Sequence, residues 1–171
     1  MPNQLTHYST NNKTNKFPLV LICDGVQSPS NIGSLFRICD ALGVSEIIFC
    51  DAIINHKSPR LQKTARSTQK KVTYSESKSI TTTIENLKKS DYKIVALEIT
   101  DTSISLENFT LPKDQKIALV IGNEQKGVSK EVLQTNPATI HIEMFGENSS
   151  MNVVQATSIA LYSIINKLYI Y

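Results

Sequence analysis

The stretch DGVQSPSNIGSLFRICDALG, residues 24 to 43, runs from a polar turn straight into an amphipathic helix. Ser28, Pro29, Ser30 and Asn31 supply turn and N-cap residue types. Ile32, Leu35, Phe36, Cys39 and Leu42 then recur at helical spacing until Gly43, a natural residue just past a helix end. The pattern predicts a helix over 31–42. Gly33 and Arg37 lie four apart, off the apolar stripe. Helical side chains lean toward the N-terminus, so Arg37 is expected to reach back over Gly33, which has no side chain to block it, toward the turn at Asn31. The plainer alternative is a solvated arginine on a surface helix.

Working outward, an apolar strand candidate precedes this helix at 18–23, and others follow at 45–50, 93–98, 116–121 and 139–143, with a weaker one at 71–74. Helices are predicted at 79–89, 129–135 and 150–168. Strands alternating with helices argue for an α/β fold, a mostly parallel sheet flanked by helices. Residues 1–17 are rich in Asn, Thr, Ser and Lys without periodicity and read as a flexible N-terminal arm, leaving 18–171 as one domain. At 171 residues, size scaling lets such a chain bury roughly 70% of its unfolded surface without staples. Cys23, Cys39 and Cys50 sit in apolar contexts without metal-ligand spacing and read as reduced core thiols of a cytoplasmic protein. His7, His56 and His141 show no metal pattern, so no metal is assigned. The apolar run of the last helix is interrupted by Gln155, Thr157, Ser158 and Ser163 and is not expected to span a membrane.

Net charge is only +3, but the segment KSPRLQKTARSTQKK, 57–71, holds Lys57, Arg60, Lys63, Arg66, Lys70 and Lys71 with no acidic residue. If helical, Arg60, Lys63, Arg66 and Lys70 would share one side, which suits a nucleic-acid backbone. A solvated charged face is the alternative. Common nucleotide folds are excluded on motif grounds. The turn after Cys23 lacks the glycine triplet of a dinucleotide fold, and no Gly-Lys-Ser or Gly-Lys-Thr marks a P-loop.

Two further strands end in unusual polar turns, ALVIGNEQKGV at 118–128 and IEMFGENSSMNVV at 142–154. With Asn31, Gly33 and Arg37 as a first motif, Ile121, Gly122, Glu124 and Gly127 as a second, and Ile142, Met144, Gly146, Ser150, Met151 and Asn152 as a third, the chain resembles the SpoU (TrmH) RNA ribose methyltransferases of the SPOUT superfamily. All three motifs occur in order. The departures are Glu143 where proline is usual, Met151 for leucine, and Val154-Gln155 where small residues are commoner. The resemblance implies an α/β-knot fold with a C-terminal trefoil knot, and S-adenosylmethionine held by Leu97, Gly122, Asn123, Ile142, Met144, Ser150 and Met151. Gly122 is expected to let the cofactor approach the backbone.

The same resemblance implies catalysis through Arg37, Asn31, Glu124, Ser150 and Asn152. An arginine is a poor base by its reference pKa, so hydrogen bonding and electrostatic stabilisation of a developing alkoxide is the physically favoured role for Arg37. Glu124 fits an anchoring role as well as a chemical one, and Asn152 fits a helix cap as well as a positioning group. A homodimer is implied, in which the last helix meets the first-motif helix and Arg37 completes the partner's site. The expected partner is RNA, bound partly by the basic segment. Transfer RNA is favoured over ribosomal RNA because the chain has no room for the added RNA-binding domain of many ribosomal members. A catalytically silent RNA-binding or assembly factor of the same fold is the alternative.

Overall fold

The computed structural model describes residues 14–170; most of the arm expected at 1–17 lies outside them, and Phe17 already opens the first strand. Seven strands form one sheet: β1 (Phe17–Asp24), β2 (Val44–Cys50), β3 (Tyr74–Ser77), β4 (Lys93–Leu97), β5 (Ile104–Ser105), β6 (Ile117–Ile121) and β7 (Ala138–His141). Their order is β3-β2-β1-β6-β4-β7-β5, and every pairing is parallel. A parallel sheet covered on both faces reads as continuous apolar runs, and β6, with sequence IALVI, is buried throughout. The strand order departs from chain order in its second half, β6-β4-β7-β5, the half in which the resemblance places the knot.

Helices α1 (Pro29–Ala41), α2 (Pro59–Ala65) and α5 (Val153–Ile165) belong to one side, where Leu35, Phe36, Leu61, Ala160, Leu161 and Ile164 pack on Leu19, Leu21, Leu119 and Ile140. On the other side, Ile80 and Ile84 of α3 (Ile80–Lys89) and Val132 of α4 (Lys130–Gln134) cover Val20, Ile22, Ala96 and Val120. All three cysteines are free and buried. Burial pushes their thiols above the ordinary range, that of Cys50 to about 11.

Several boundaries differ from expectation. Helix α1 begins at Pro29 rather than residue 31, because proline is pre-set for the first helical position and Ser28 caps it by accepting from the Asn31 amide at 3.5 Å. The weak strand expected at 71–74 lies instead at Tyr74–Ser77, and the two-residue β5 carries too little pattern to be seen in sequence. The last helix starts at Val153, not 150, since the Asn152 side chain accepts from the Val154 amide at 2.8 Å and so acts as its N-cap. It continues through Asn166–Ile170 as a wider turn. By length and composition, Val153–Ile170 is apolar enough to cross a bilayer, with mean hydropathy 1.2. One stripe of it is buried, Thr157, Ala160, Leu161, Ile164, Ile165 and Leu168, while Ile159 and Tyr162 stay exposed.

Candidate active site

In a parallel sheet the crevice beyond the carboxyl ends of the strands collects the loops that follow them, and ligand sites gather there. Here the loops after β4, β6 and β7 enclose a cavity of about 680 Å³, within the usual range for a small-molecule site. Leu97, Ile121, Ile142 and Met144 give it apolar walls, and Gly122, Asn123, Ser150 and Met151 also line it. All seven residues expected at the cofactor therefore line one cavity, although they are spread over more than fifty positions of the chain. Polar side chains share the lining, Glu98, Thr100, Lys130 and His141 among them, and apolar walls beside such groups fit a nucleoside carrying a polar aliphatic arm.

The loop after β6 is held by two carboxylates that sequence reasoning passed over. Glu98 accepts from the Val128 amide at 2.8 Å and from the Ile99 amide at 2.9 Å. The buried Asp24 accepts from the Ser129 amide at 2.7 Å. Each directly follows or ends an apolar strand, the position from which a side chain reaches the crevice, and that was the available signal. Within the loop, Asn123 and Gly127 exchange backbone hydrogen bonds at 3.0 Å, Gly127 at φ +69°. The Asn123 side chain donates to the Gly25 carbonyl at 2.6 Å and accepts from the amides of Gln125 and Lys126.

The expected reason for Gly122 is corrected by this loop. A Cβ at Gly122 would lie 2.0 Å from the Gly127 carbonyl carbon and 2.2 Å from the Val128 nitrogen, so the chain's own backbone occupies the space that was assigned to a cofactor. His141, for which the sequence shows no metal pattern, also lies on the cavity wall. Its Nδ1 is 3.0 Å from the Ser103 hydroxyl and its Nε2 4.0 Å from Glu143, which stands where the family usually has proline.

The three motifs meet through one polar network at the cavity edge. Asn31 donates from Nδ2 to Glu124 Oε1 at 3.0 Å, and its Oδ1 accepts from Asn152 Nδ2 at 3.4 Å. Glu124 also accepts from the backbone amides of Ser28 at 3.0 Å and Gln27 at 3.3 Å, which fixes the turn entering α1. Partial burial pushes the Glu124 carboxyl up, but the hydrogen bonds from Asn31, its own amide, Ser28 and Gln27 outweigh it and hold the group below its ordinary range. A carboxylate so held is a weak base at neutral pH. Its chemistry is to anchor Asn31 and the α1 turn, while Asn152 links that turn to the start of α5.

Arg37 is not part of this network. The side-chain partners of Asn31 are Glu124 and Asn152, and the exposed Arg37 lines a second, open groove of about 540 Å³ between α1 and α2. The expected path over Gly33 is closed. A Cβ at Gly33 would meet Thr64 Oγ1 at 2.1 Å and the Leu61 carbonyl oxygen at 2.4 Å, so Gly33 is the point where α2 crosses α1. Nor does the basic segment form one helical side. Helix α2 ends at Ala65, Arg66 and Ser67 turn left-handed at φ +49° and +70°, and Thr68–Lys70 is a separate short turn. Lys63 and Arg66 reach the groove of Arg37; Lys57, Arg60, Lys70 and Lys71 are exposed but do not line it.

The family model of the SpoU rRNA methylases matches residues 18–162. Over 163 residues the chain is 29% identical to the tRNA (guanosine(18)-2'-O)-methyltransferase of Saccharomyces cerevisiae, covering 93% of this chain and 11% of that protein. The TrmH/SpoU tRNA-modifying enzyme of A. aeolicus superposes with a TM-score of 0.79 at 25% identity, over 90% of this chain and 77% of that one. The SpoU methyltransferase AviRb of Streptomyces viridochromogenes, solved in complex with AdoMet, shares the fold with a TM-score of 0.74 at 23% identity, over 91% of this chain and 59% of that one. The curated relatives compared include tRNA and rRNA 2'-O-methyltransferases, and the chain spans between 11% and 60% of their lengths.

Proposed function

Because the chain belongs to the SpoU rRNA methylase family, we propose that it transfers a methyl group from S-adenosylmethionine to a ribose 2′-hydroxyl of RNA, with residues 18–171 forming the methyltransferase unit. The observation that carries this reading is the single cavity built by the second and third motifs and tied to the first by the Asn31, Glu124 and Asn152 network. When bound, S-adenosylmethionine supplies an electrophilic sulfonium methyl. Leu97, Ile142 and Met144 would hold its flat base between apolar walls, and the peptide groups around Gly122 and Asn123, with Ser150 and Met151, would take its polar edges.

The protein's own work is to place and stabilise the attacking oxygen. Arg37, a permanent cation with five donors, suits hydrogen bonding to the 2′-oxygen as its negative charge develops. Asn31 and Asn152 position the first-motif turn against the cavity, and Glu124 orients Asn31. Since Arg37 lines a groove other than the cavity, the reading includes a homodimer in which one subunit's Arg37 serves its partner's cavity. The exposed Ile159 and Tyr162 on α5 support such an interface. Transfer RNA is favoured over ribosomal RNA as the substrate; enzymes acting on each stand among the similar proteins.

A catalytically silent RNA-binding factor would need none of the cavity. Isothermal titration with S-adenosylmethionine separates the two readings: saturable binding is expected, and its absence in folded protein would overturn the proposal.

A further inference from the structure

The groove between α1 and α2 joins features that are far apart in sequence. Arg37 comes from the first motif, and Lys63 and Arg66 come from the basic segment; Ser34, Ile38, Ala41 and Thr64 complete the lining. Among the described residues no carboxylate lines it, so none of them offsets the three positive charges within the groove. The two hydroxyls are spent on the helices themselves, Ser34 Oγ donating to the Ser30 carbonyl at 2.9 Å and Thr64 Oγ1 to the Arg60 carbonyl at 3.0 Å. The free donors are therefore cationic, and the floor of Ile38 and Ala41 is apolar.

The backbone keeps this arrangement at a cost. Gly33 lets α2 come so close to α1 that a Cβ would strike the Leu61 carbonyl, which brings Lys63 and Arg66 alongside Arg37, one turn further along α1. Helix α2 then stops, with Arg66 and Ser67 both left-handed although neither is glycine. Residues held in that region cost on the order of 1 kcal/mol or more each, and such strain gathers at functional sites.

We infer that Arg37, Lys63 and Arg66 form one anion clamp that holds an RNA phosphodiester beside the target ribose. The inference rests on the RNA methyltransferase reading and deepens it: within the basic segment it assigns the reacting nucleotide's backbone to Lys63 and Arg66, and leaves Lys57, Arg60, Lys70 and Lys71 to more distant contacts.

The test uses the full chain saturated with S-adenosylmethionine and a labelled uridine 12-mer RNA, with affinity followed by fluorescence anisotropy across a salt series. Lys63→Gln and Arg66→Gln should each weaken binding about 3- to 10-fold, and the double variant should flatten the slope of log K against log salt by about 1.4, at about 0.7 per single-strand phosphate contact. Lys89→Gln, on α3 across the sheet, should change neither. Arg66→Lys should restore most of the affinity. Unchanged affinity and slope in the double variant, with the wild type binding RNA, would overturn the clamp alone. A wild type that binds S-adenosylmethionine but no RNA would overturn the parent reading as well. Inorganic phosphate, titrated at constant ionic strength, distinguishes the source of the anion: competition at sub-millimolar concentration would mark a free-phosphate site and overturn the RNA assignment, whereas weak or absent competition supports it.

Discussion

Replacing Gly33 with alanine sets two opposed effects against each other, and the geometry decides between them. In a helix interior alanine is favoured over glycine by about 1 kcal/mol. Against this, the new Cβ would lie 2.4 Å from the Leu61 carbonyl oxygen and 3.0 Å from the Ala65 nitrogen, both backbone, as well as 2.1 Å from Thr64 Oγ1. Restoring ordinary contact at 3.4 Å requires α2 to retreat by 1.0 Å (3.4 − 2.4), and that movement strains the packing of Leu61 and Ala65, both fully buried. Overpacking of this kind costs about 1–3 kcal/mol, toward the upper end where backbone must yield. Net destabilisation of about 1–2 kcal/mol is expected, a fall in Tm of about 2–8 °C for a domain of this size. Thermal unfolding by circular dichroism measures it. Gly33→Ala combined with Thr64→Ala should recover only part of the loss, since the Leu61 carbonyl remains. A single variant as stable as wild type, or more stable, would show that helix propensity wins and that α2 does not press on Gly33.

Other outcomes follow from the same geometry. Arg37→Ala should lower kcat/KM for methyl transfer by at least about 10²-fold, the effect of removing one donor to a developing oxyanion, while affinity for S-adenosylmethionine by titration stays within about twofold. Gly122→Ala should lower thermal stability and cofactor affinity together, because the Cβ strikes the backbone at Gly127 and Val128; weakened affinity at unchanged Tm would restore the direct-contact explanation. Glu124 is held below its ordinary value of 4.5, so its contribution is complete above that pH and is lost as the pH falls through the lower folded value. Acid unfolding of the wild type below about pH 4.5 should therefore be steeper than that of Glu124→Gln. Cys50, with its thiol pushed to about 11, should resist alkylation by iodoacetamide at pH 8 in the native protein and react only after unfolding.

Much of this architecture was readable from residue order. The apolar runs at β1, β2, β4 and β6 are buried along most of their length and so carry a signal independent of their neighbours, and Ser28 with Pro29 marks the start of α1. The cavity lining was readable because its motif residues end a strand or lie in the loop that follows one. Contacts between elements were not. Sequence places Gly33 beside Arg37 but cannot show that α2 fills the space between them, and Gly122 shows the need for a small residue without showing which atoms demand it. The end of α2 at Ala65 was hidden because Arg66 and Ser67 adopt positive φ without being glycine or asparagine. Glu98 and Asp24 were missed because their hydrogen-bond partners lie 30 and 105 residues away.

The central claim, methyl transfer to a ribose oxygen, is tested most directly by incubating the protein with methyl-tritiated S-adenosylmethionine and total tRNA and digesting the product with alkali. A 2′-O-methylated ribose cannot form the cyclic phosphate through which alkali cleaves RNA, so the account predicts tritium in alkali-resistant dinucleotides, absent with Arg37→Ala. Tritium recovered only in mononucleotides would place the methyl group on a base and contradict the account.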